Sequence, residues 1–211
     1  MTKEPSHNID NYNEKAKSLT LSYNSVSTAD ILPQFAAAVP LYAAEKLHRV
    51  LDIGCGSGRD AFWLAEQGFH VTAVEAASEM LIEATKHFPH ARITYLLDSA
   101  PEMTETRRLG QKFDIILMSA FLFHIDESER AILYARLQEL MAETCVIHLT
   151  LRHGPAPEGR TMFAIPLSEL EAFAKAQGLA CTIGTETPDA LKRPDVTWQE
   201  VSLKRPCKLT P

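Results

Sequence analysis

Val50-Leu51-Asp52-Ile53-Gly54-Cys55-Gly56-Ser57-Gly58-Arg59-Asp60 is the stretch from which the rest of the chain can be read. An apolar run ends and breaks into glycines at alternating positions, and a helical pattern follows at once. Buried strand, tight turn and helix N-terminus in that order make a cradle for an adenosine-containing cofactor. Glycine lets the backbone approach a ligand without a Cβ in the way, and the first N–H groups of the helix point at it unpaired. The spacing is G-x-G-x-G, over Gly54, Gly56 and Gly58, and Arg59 stands where the dinucleotide fingerprint G-x-G-x-x-G has its third glycine. That departure speaks against a pyrophosphate cofactor.

Outward from this turn, strands and helices alternate. Strands are predicted near Arg49–Ile53, Phe69–Val74, Arg92–Leu97, Phe113–Met118 and Thr144–Leu151. Helices are predicted near Arg59–Gln67, Ser78–His87 with Ser78 as its cap, and Glu127–Met141, with Ile132, Leu133, Leu137 and Leu140 on one face. A short helix follows Pro101, and a helix over Ser168–Gln177 precedes two strands near Leu179–Ile183 and Val196–Leu203. Before the first strand the chain reads as helical from Asn8, broken near Ser25–Thr28. It resumes from Ala29 toward Ala44, capped by Ser27 or Thr28, with Pro40 ending or kinking it. The pattern predicts an α/β fold: a Rossmann-like, doubly wound, mostly parallel seven-stranded sheet with an antiparallel C-terminal edge hairpin and an N-terminal helical cap. Residues 1–45 form the cap and 46–211 the catalytic domain, as parts of one domain.

Bulk properties agree. A chain of 211 residues suits one core, and 45% hydrophobic with 23% charged residues is ordinary for a soluble protein. No apolar run approaches the ~20 residues of a membrane span, and the polar Met1–Asn8 segment does not read as a signal peptide. Cys55, Cys145, Cys181 and Cys207 form no C-x-x-C pair and read as reduced thiols of a cytoplasmic protein without a metal site. The net charge of −6 argues against a nucleic-acid partner. Oligomeric state is left open.

In a doubly wound sheet, ligands sit beyond the carboxyl ends of the strands. Each strand end therefore offers a site residue. Asp52, Gly54, Cys55, Gly56 and Gly58 belong to the first. Glu75, ending the second, is placed to accept the ribose hydroxyls. Asp98, ending the third, is placed to accept from the adenine amino group, beside the Ser99 N–H. Ala76 and Met80 are candidates to clamp the adenine faces. Ser119 follows the fourth strand, where a transferable methyl group would point. Glycine turn, Glu and Asp on three successive strands together point to S-adenosylmethionine.

The residues Val50–Gly58, Val71-Thr72-Ala73-Val74-Glu75, Leu97-Asp98-Ser99 and Phe113-Asp114-Ile115-Ile116 resemble the class I S-adenosylmethionine-dependent methyltransferases. The likeness covers about Val50 to Leu203. Gly56–Gly68 is more faintly similar to small-molecule enzymes of the thiopurine and tellurite-resistance type. The resemblance implies that the positions of Asp52, Gly54, Gly56, Glu75 and Asp98 bind the cofactor. It also implies that Tyr12 or Tyr23 of the cap lies against its methionine moiety.

For the acceptor side, His124 is the candidate general base, since it follows the fourth strand and an unperturbed imidazole titrates near neutrality. Arg152 and His153, after the fifth strand, are candidates to bind an anionic substrate group, and Phe123 to line an apolar wall. Residues 152–166 form a Gly/Pro-rich loop that can serve as a lid and carry Arg160 inward. After the fourth strand there is neither an Asn/Asp-Pro-Pro-aromatic motif nor a Pro-Cys nucleophile, which ranks a small-molecule acceptor first, a peptide side chain second and a nucleic acid third. The rival readings are an NAD(P)-dependent oxidoreductase and a non-catalytic relative that binds S-adenosylmethionine.

Overall fold

The computed structural model describes residues 6–205. Residues 1–5 and 206–211, including Cys207, lie outside the described residues. Four helices come first: α1 (Ser6–Glu14), α2 (Ala16–Tyr23), α3 (Thr28–Ile31) and α4 (Pro33–Ala44). The alternating part comprises β1 (Arg49–Ile53), α5 (Arg59–Glu66), β2 (His70–Glu75), α6 (Ser78–His87), β3 (Ile93–Leu97), α7 (Thr104–Arg108), β4 (Phe113–Met118), α8 (Glu127–Leu140) and β5 (Met141–His153). It closes with α9 (Leu167–Ala176), β6 (Ala180–Pro188) and β7 (Thr197–Lys204).

The seven strands lie in the order β3-β2-β1-β4-β5-β7-β6. The first five are parallel to one another; β7 runs antiparallel between β5 and β6. Consecutive residues of the central strands enter opposite cores. Leu51, Ile116 and Ile147 pack with α8 and α9, while Val50, Ile115 and Val146 pack with α4 and α5. Burial on both faces explains why these strands read as near-continuous apolar runs rather than alternating ones. β1 is the switch point, with β2 on one side and β4 on the other, so a crevice opens beyond their carboxyl ends.

Three local expectations are corrected. Pro40 does not end its helix. α4 runs through it to Ala44, and the break falls at Leu32, with Pro33 opening the new helix. Burial of Phe35, Val39 and Tyr42 on one face holds the turn that lacks the proline N–H. Ser78 is not the cap of α6 but its first residue, and the Glu79 N–H is taken instead by Asn13 Oδ1 of α1 at 3.0 Å. Ile132 is 38% exposed; the buried positions of α8 are Arg130, Leu133, Leu137 and Leu140.

The cap is fastened to the sheet by polar bonds as well as by packing. Arg59 pairs with Asp60 at 2.9 Å and donates through Nη1 to the Tyr23 carbonyl at 2.6 Å, which ties α2 to the start of α5. That is what the residue in place of a third glycine does. Thr28 Oγ1 donates to the same Asp60 at 2.7 Å. On the other side, Glu200 of β7 accepts from the Gln34 and Phe35 N–H groups at the start of α4, at 3.0 and 2.9 Å. Glu200 also pairs with His148 Nε2 at 2.8 Å, and His148 Nδ1 meets Ser202 Oγ at 2.7 Å.

Candidate active site

A cleft opens at the crevice between β1 and β4 and is roofed by the cap, the 154–166 loop and the β6–β7 connection. Its floor begins at the glycine turn. Gly54 and Gly56 sit at φ of 73° and 54°, and a Cβ on Gly54 would stand 2.5 Å from the Phe121 ring. The close approach that requires glycine there is thus an aromatic side chain from beyond β4.

Glu75 is anchored entirely by backbone donors. Oε2 accepts from the Gly56 N–H at 3.0 Å, and Oε1 accepts from the Ala76 and Ala77 N–H groups at 2.9 Å each. Burial raises its carboxyl above the ordinary range, and those three donors offset part of the rise. Four lone-pair directions shared among three donors leave acceptor capacity for a ligand hydroxyl. Asp98 is held similarly. Its Oδ1 accepts from the Ser99 N–H at 2.9 Å, and its Oδ2 accepts from Thr106 N–H and Oγ1 at 2.8 Å each. At the start of α5, the Ser57 and Arg59 N–H groups take no partner among the described residues, as expected of a helix N-terminus awaiting an anion.

The opposite end of the cleft is built by His124 and the roof. His124 Nε2 lies 3.2 Å from the Tyr12 hydroxyl, and its Nδ1 is buried without a partner. Arg160 reaches inward from the loop. Its guanidinium covers the Tyr12 ring at 4.3 Å from the centroid and donates to the Tyr12 and Tyr23 hydroxyls at 3.2 and 3.4 Å. Burial first, and the Arg160 and Arg152 charges after it, push His124 down to about 4, so the imidazole is neutral at pH 7. The same burial pushes the Tyr12 phenol well above its usual range. Asn8 clasps the loop with two hydrogen bonds to the Thr161 backbone, both at 2.9 Å, and Phe163 N–H donates to the Phe123 carbonyl at 2.8 Å.

Most residues singled out from the sequence meet on the wall of this one cleft: Gly54, Cys55, Gly56, Glu75, Ala76, Asp98, Ser99, Ser119, Tyr23, Phe123, His124 and Arg152. Four do not. Asp52 is 1% exposed beneath the turn, with Oδ2 unpartnered. Burial, and then the Asp60 charge, hold its carboxyl well above the usual range. Gly58 packs instead, because a Cβ there would stand 2.9 Å from Tyr95 Oη and 3.0 Å from Ala84. Met80 is fully buried under the cap with Ala16 and Ala77. His153 is exposed, because strand alternation sends it to the face opposite Arg152. Cys55 is buried at the cleft, and burial raises its thiol well above the usual range, so it is an apolar wall atom rather than a nucleophile.

Thr150, Trp198, Asp189 and Arg193 also line the cleft. Thr150 was legible, since it lies two residues before Arg152 on the same strand face, and its Oγ1 accepts from the Ala120 N–H at 2.8 Å. The others carried no signal. Asp189 and Arg193 come from the β6–β7 connection, where Arg193 Nη2 meets Asp189 Oδ1 at 2.5 Å and Trp198 Nε1 donates to the same oxygen at 2.7 Å. Among the described residues there is no cluster of three metal-ligating side chains, and no helix is long and apolar enough to cross a membrane.

Residues 50–144 match the family model for a methyltransferase domain. Among curated proteins the chain is similar to glycine N-methyltransferase of Rattus norvegicus, 54% identical over 39 residues, covering 18% of this chain and 13% of that one. It is also similar to the ubiquinone biosynthesis O-methyltransferase of Rickettsia canadensis, 30% identical over 86 residues, or 40% of this chain and 35% of that one. The matches therefore span well under half the length of those relatives. Among solved structures, the Burkholderia thailandensis 1,6-didemethyltoxoflavin-N1-methyltransferase with bound S-adenosylhomocysteine superposes with a TM-score of 0.66 at 16% identity, over 97% of this chain and 92% of that one. The glycopeptide N-methyltransferase MtfA superposes with a TM-score of 0.60 at 18% identity, over 84% and 90%. At such identities the likeness is one of fold. The methyltransferase-domain match lies over residues 50–144, and the solved structures share the fold of S-adenosylmethionine-dependent methyltransferases. Those two structures are named for acceptors as different as 1,6-didemethyltoxoflavin and a glycopeptide.

Proposed function

We propose that this chain is an S-adenosylmethionine-dependent methyltransferase that acts on a small-molecule acceptor. Residues 46–211 supply the catalytic part, and residues 1–45 are a cap on the same domain. The observation that carries the reading is Glu75, whose carboxylate is fixed by three backbone N–H donors at the cleft wall. That arrangement suits the paired hydroxyls of a ribose. Gly54, Cys55, Gly56, Ala76, Asp98, Ser99, Ser119 and Tyr23 complete the cofactor wall, with Asp52, Gly58 and Met80 supporting it from behind. When bound, S-adenosylmethionine supplies an electrophilic methyl group on a sulfonium.

The protein's own contribution is position and dryness. The cap tyrosines, Arg160 and the clasped loop keep water from the inner cleft. His124 takes the acceptor's proton. With its Nε2–H donating to the Tyr12 oxygen, the unpartnered Nδ1 keeps a free lone pair. An imidazole held to about 4 is a weak base, which suits a proton that becomes strongly acidic as the new bond forms, as a hydroxyl proton does. Three cysteines stand unpaired in the described residues, which fits a reducing compartment such as the cytoplasm.

The test has two arms. S-adenosylhomocysteine should raise the melting temperature of the chain, and NAD or NADP should not, because only a ligand of the native state shifts the midpoint. The loaded enzyme should then convert S-adenosylmethionine to S-adenosylhomocysteine in the presence of pooled metabolites. A shift with NAD alone would point to an oxidoreductase. Binding without turnover in any pool would make the chain a non-catalytic relative, and turnover only with peptides or nucleic acid would replace the small-molecule acceptor.

A further inference from the structure

Arg152 stands half-buried at the end of β5, facing the cleft from the same strand face as Thr150. Its Nη1 donates to the Gly154 carbonyl at 3.0 Å. Its Nε is buried and has no partner. No carboxylate of the described residues forms an ion pair with it. Most of the acids around the cleft are already engaged. Asp189 holds Arg193 and Trp198, Asp60 holds Arg59, Glu75 holds the glycine turn, and Asp98 holds Thr106. Asp30 is bound to Ser27, and Glu129, which also lines the cleft, pairs with none of the arginines.

Three further cations line the same space: Arg59 and Arg193, each paired with an acid, and Arg160. Arg160 has only the neutral partners Asn11, Tyr12 and Tyr23. Burial and the charges of Arg193 and Arg160 hold Arg152 below its ordinary range. A guanidinium withdrawn from water with a free donor, beside other guanidinium groups, is costly until an anion meets it. The planar fork of arginine matches the paired oxygens of a carboxylate or phosphate. Beside it stand two aromatic rings, Phe123 and Trp198, with centroids 6.0 Å apart, and Trp198 is the direct cross-strand partner of Arg152.

We propose that the methyl acceptor carries an anionic group, a carboxylate or a phosphate, that is received by Arg152, and an apolar body that lies on Phe123 and Trp198. This rests on the methyltransferase reading above and names its substrate class. The buried, unpartnered Nε of Arg152 selects the charge, and the aromatic pair selects what the charge is attached to.

The experiment titrates the full chain by calorimetry in two stages. The first stage measures S-adenosylhomocysteine. The second takes the saturated complex and adds benzoate, phenyl phosphate or the neutral benzamide. At least one anion should bind about tenfold more tightly than benzamide, the effect of one charge-assisted hydrogen bond. Whichever anion binds better distinguishes carboxylate from phosphate. Arg152→Gln should remove the preference while S-adenosylhomocysteine affinity stays within about twofold, and Arg152→Lys should restore part of it. Equal binding of all three probes, or a preference that survives in Arg152→Gln, overturns the proposal. Failure at the first stage overturns the cofactor reading, and the substrate class with it.

Discussion

His124 and Glu75 are both ionisable groups held away from water, and burial drives both toward their neutral forms. For His124 the consequence can be signed. Between pH 6.5 and about 4 the unfolded chain binds a proton that the folded chain refuses. Stability linked to this residue is therefore complete above pH 6.5 and is lost as the pH falls through that window. His124→Gln should flatten the decline of the urea midpoint over that range; an unchanged decline would assign it to other groups. In the active enzyme, the acid limb of kcat/KM should fall near 4 rather than near 6.5, with Arg160→Gln moving it upward. On the cofactor side, Glu75→Gln should weaken S-adenosylhomocysteine binding by about 1–3 kcal/mol, the value of a hydrogen bond to a charged group. Asp98→Ala should do the same and also lower the melting temperature, because Thr106 loses its acceptor. Unaltered affinity in either variant would remove that residue from the site. Glu75 and Asp98 could be placed at the crevice from sequence because each stands at the end of a strand, whereas His124 lies beyond β4 in the following turn.

The 154–166 loop is held as an element by partners that no local pattern names. Arg130 of α8 is 3% exposed and donates to the Ala164 carbonyl and to Glu169 Oε2, both at 2.9 Å, and Tyr134 donates to the other oxygen of Glu169 at 2.6 Å. From the other side, Asn8 takes the Thr161 backbone. The helical period predicted Ile132 on the buried face, but the arginine three residues before Leu133 lies there instead, since its guanidinium finds an acid and two carbonyls. Arg130→Met keeps most of the volume and removes those bonds. It should speed amide hydrogen exchange over 160–166 and cost about 1–3 kcal/mol, most of it from Glu169 left half-buried without its cation. Slow exchange in that variant would show that the loop is held by packing alone.

At the scale of the molecule, polar groups from both ends of the chain meet in the interior and join the cap to the sheet. Burial raises the Glu200 carboxyl, but the hydrogen bonds from His148, Gln34 and Phe35 outweigh it and leave the group below its ordinary range. It joins β7 to the first turn of α4 across 165 residues of sequence. Glu200→Ala should cost about 3–5 kcal/mol, because the helix N–H groups and His148 all lose their acceptor in a dry place. Replacing His148 and Glu200 together with leucines should recover part of that loss in urea unfolding. A cost below about 1 kcal/mol for the single variant would mean that water reaches the pair.

Chain-local chemistry was sufficient for the sheet, for its mostly parallel order and for the glycine-turn end of the cleft. Apolar runs buried on two faces, glycines in an alternating turn and acids at strand ends are each written in consecutive residues. The end proposed for the acceptor is different. Arg152, Arg160, Trp198 and the Asp189–Arg193 pair come from four separated segments, and their meaning lies in which charges pair and which are left over. Charge pairing acts through space at a few ångströms, so it exists only once the cap, the loop and the β6–β7 connection have closed on one another. The same closure decided that Met80 and Asp52 lie beneath the site rather than in it.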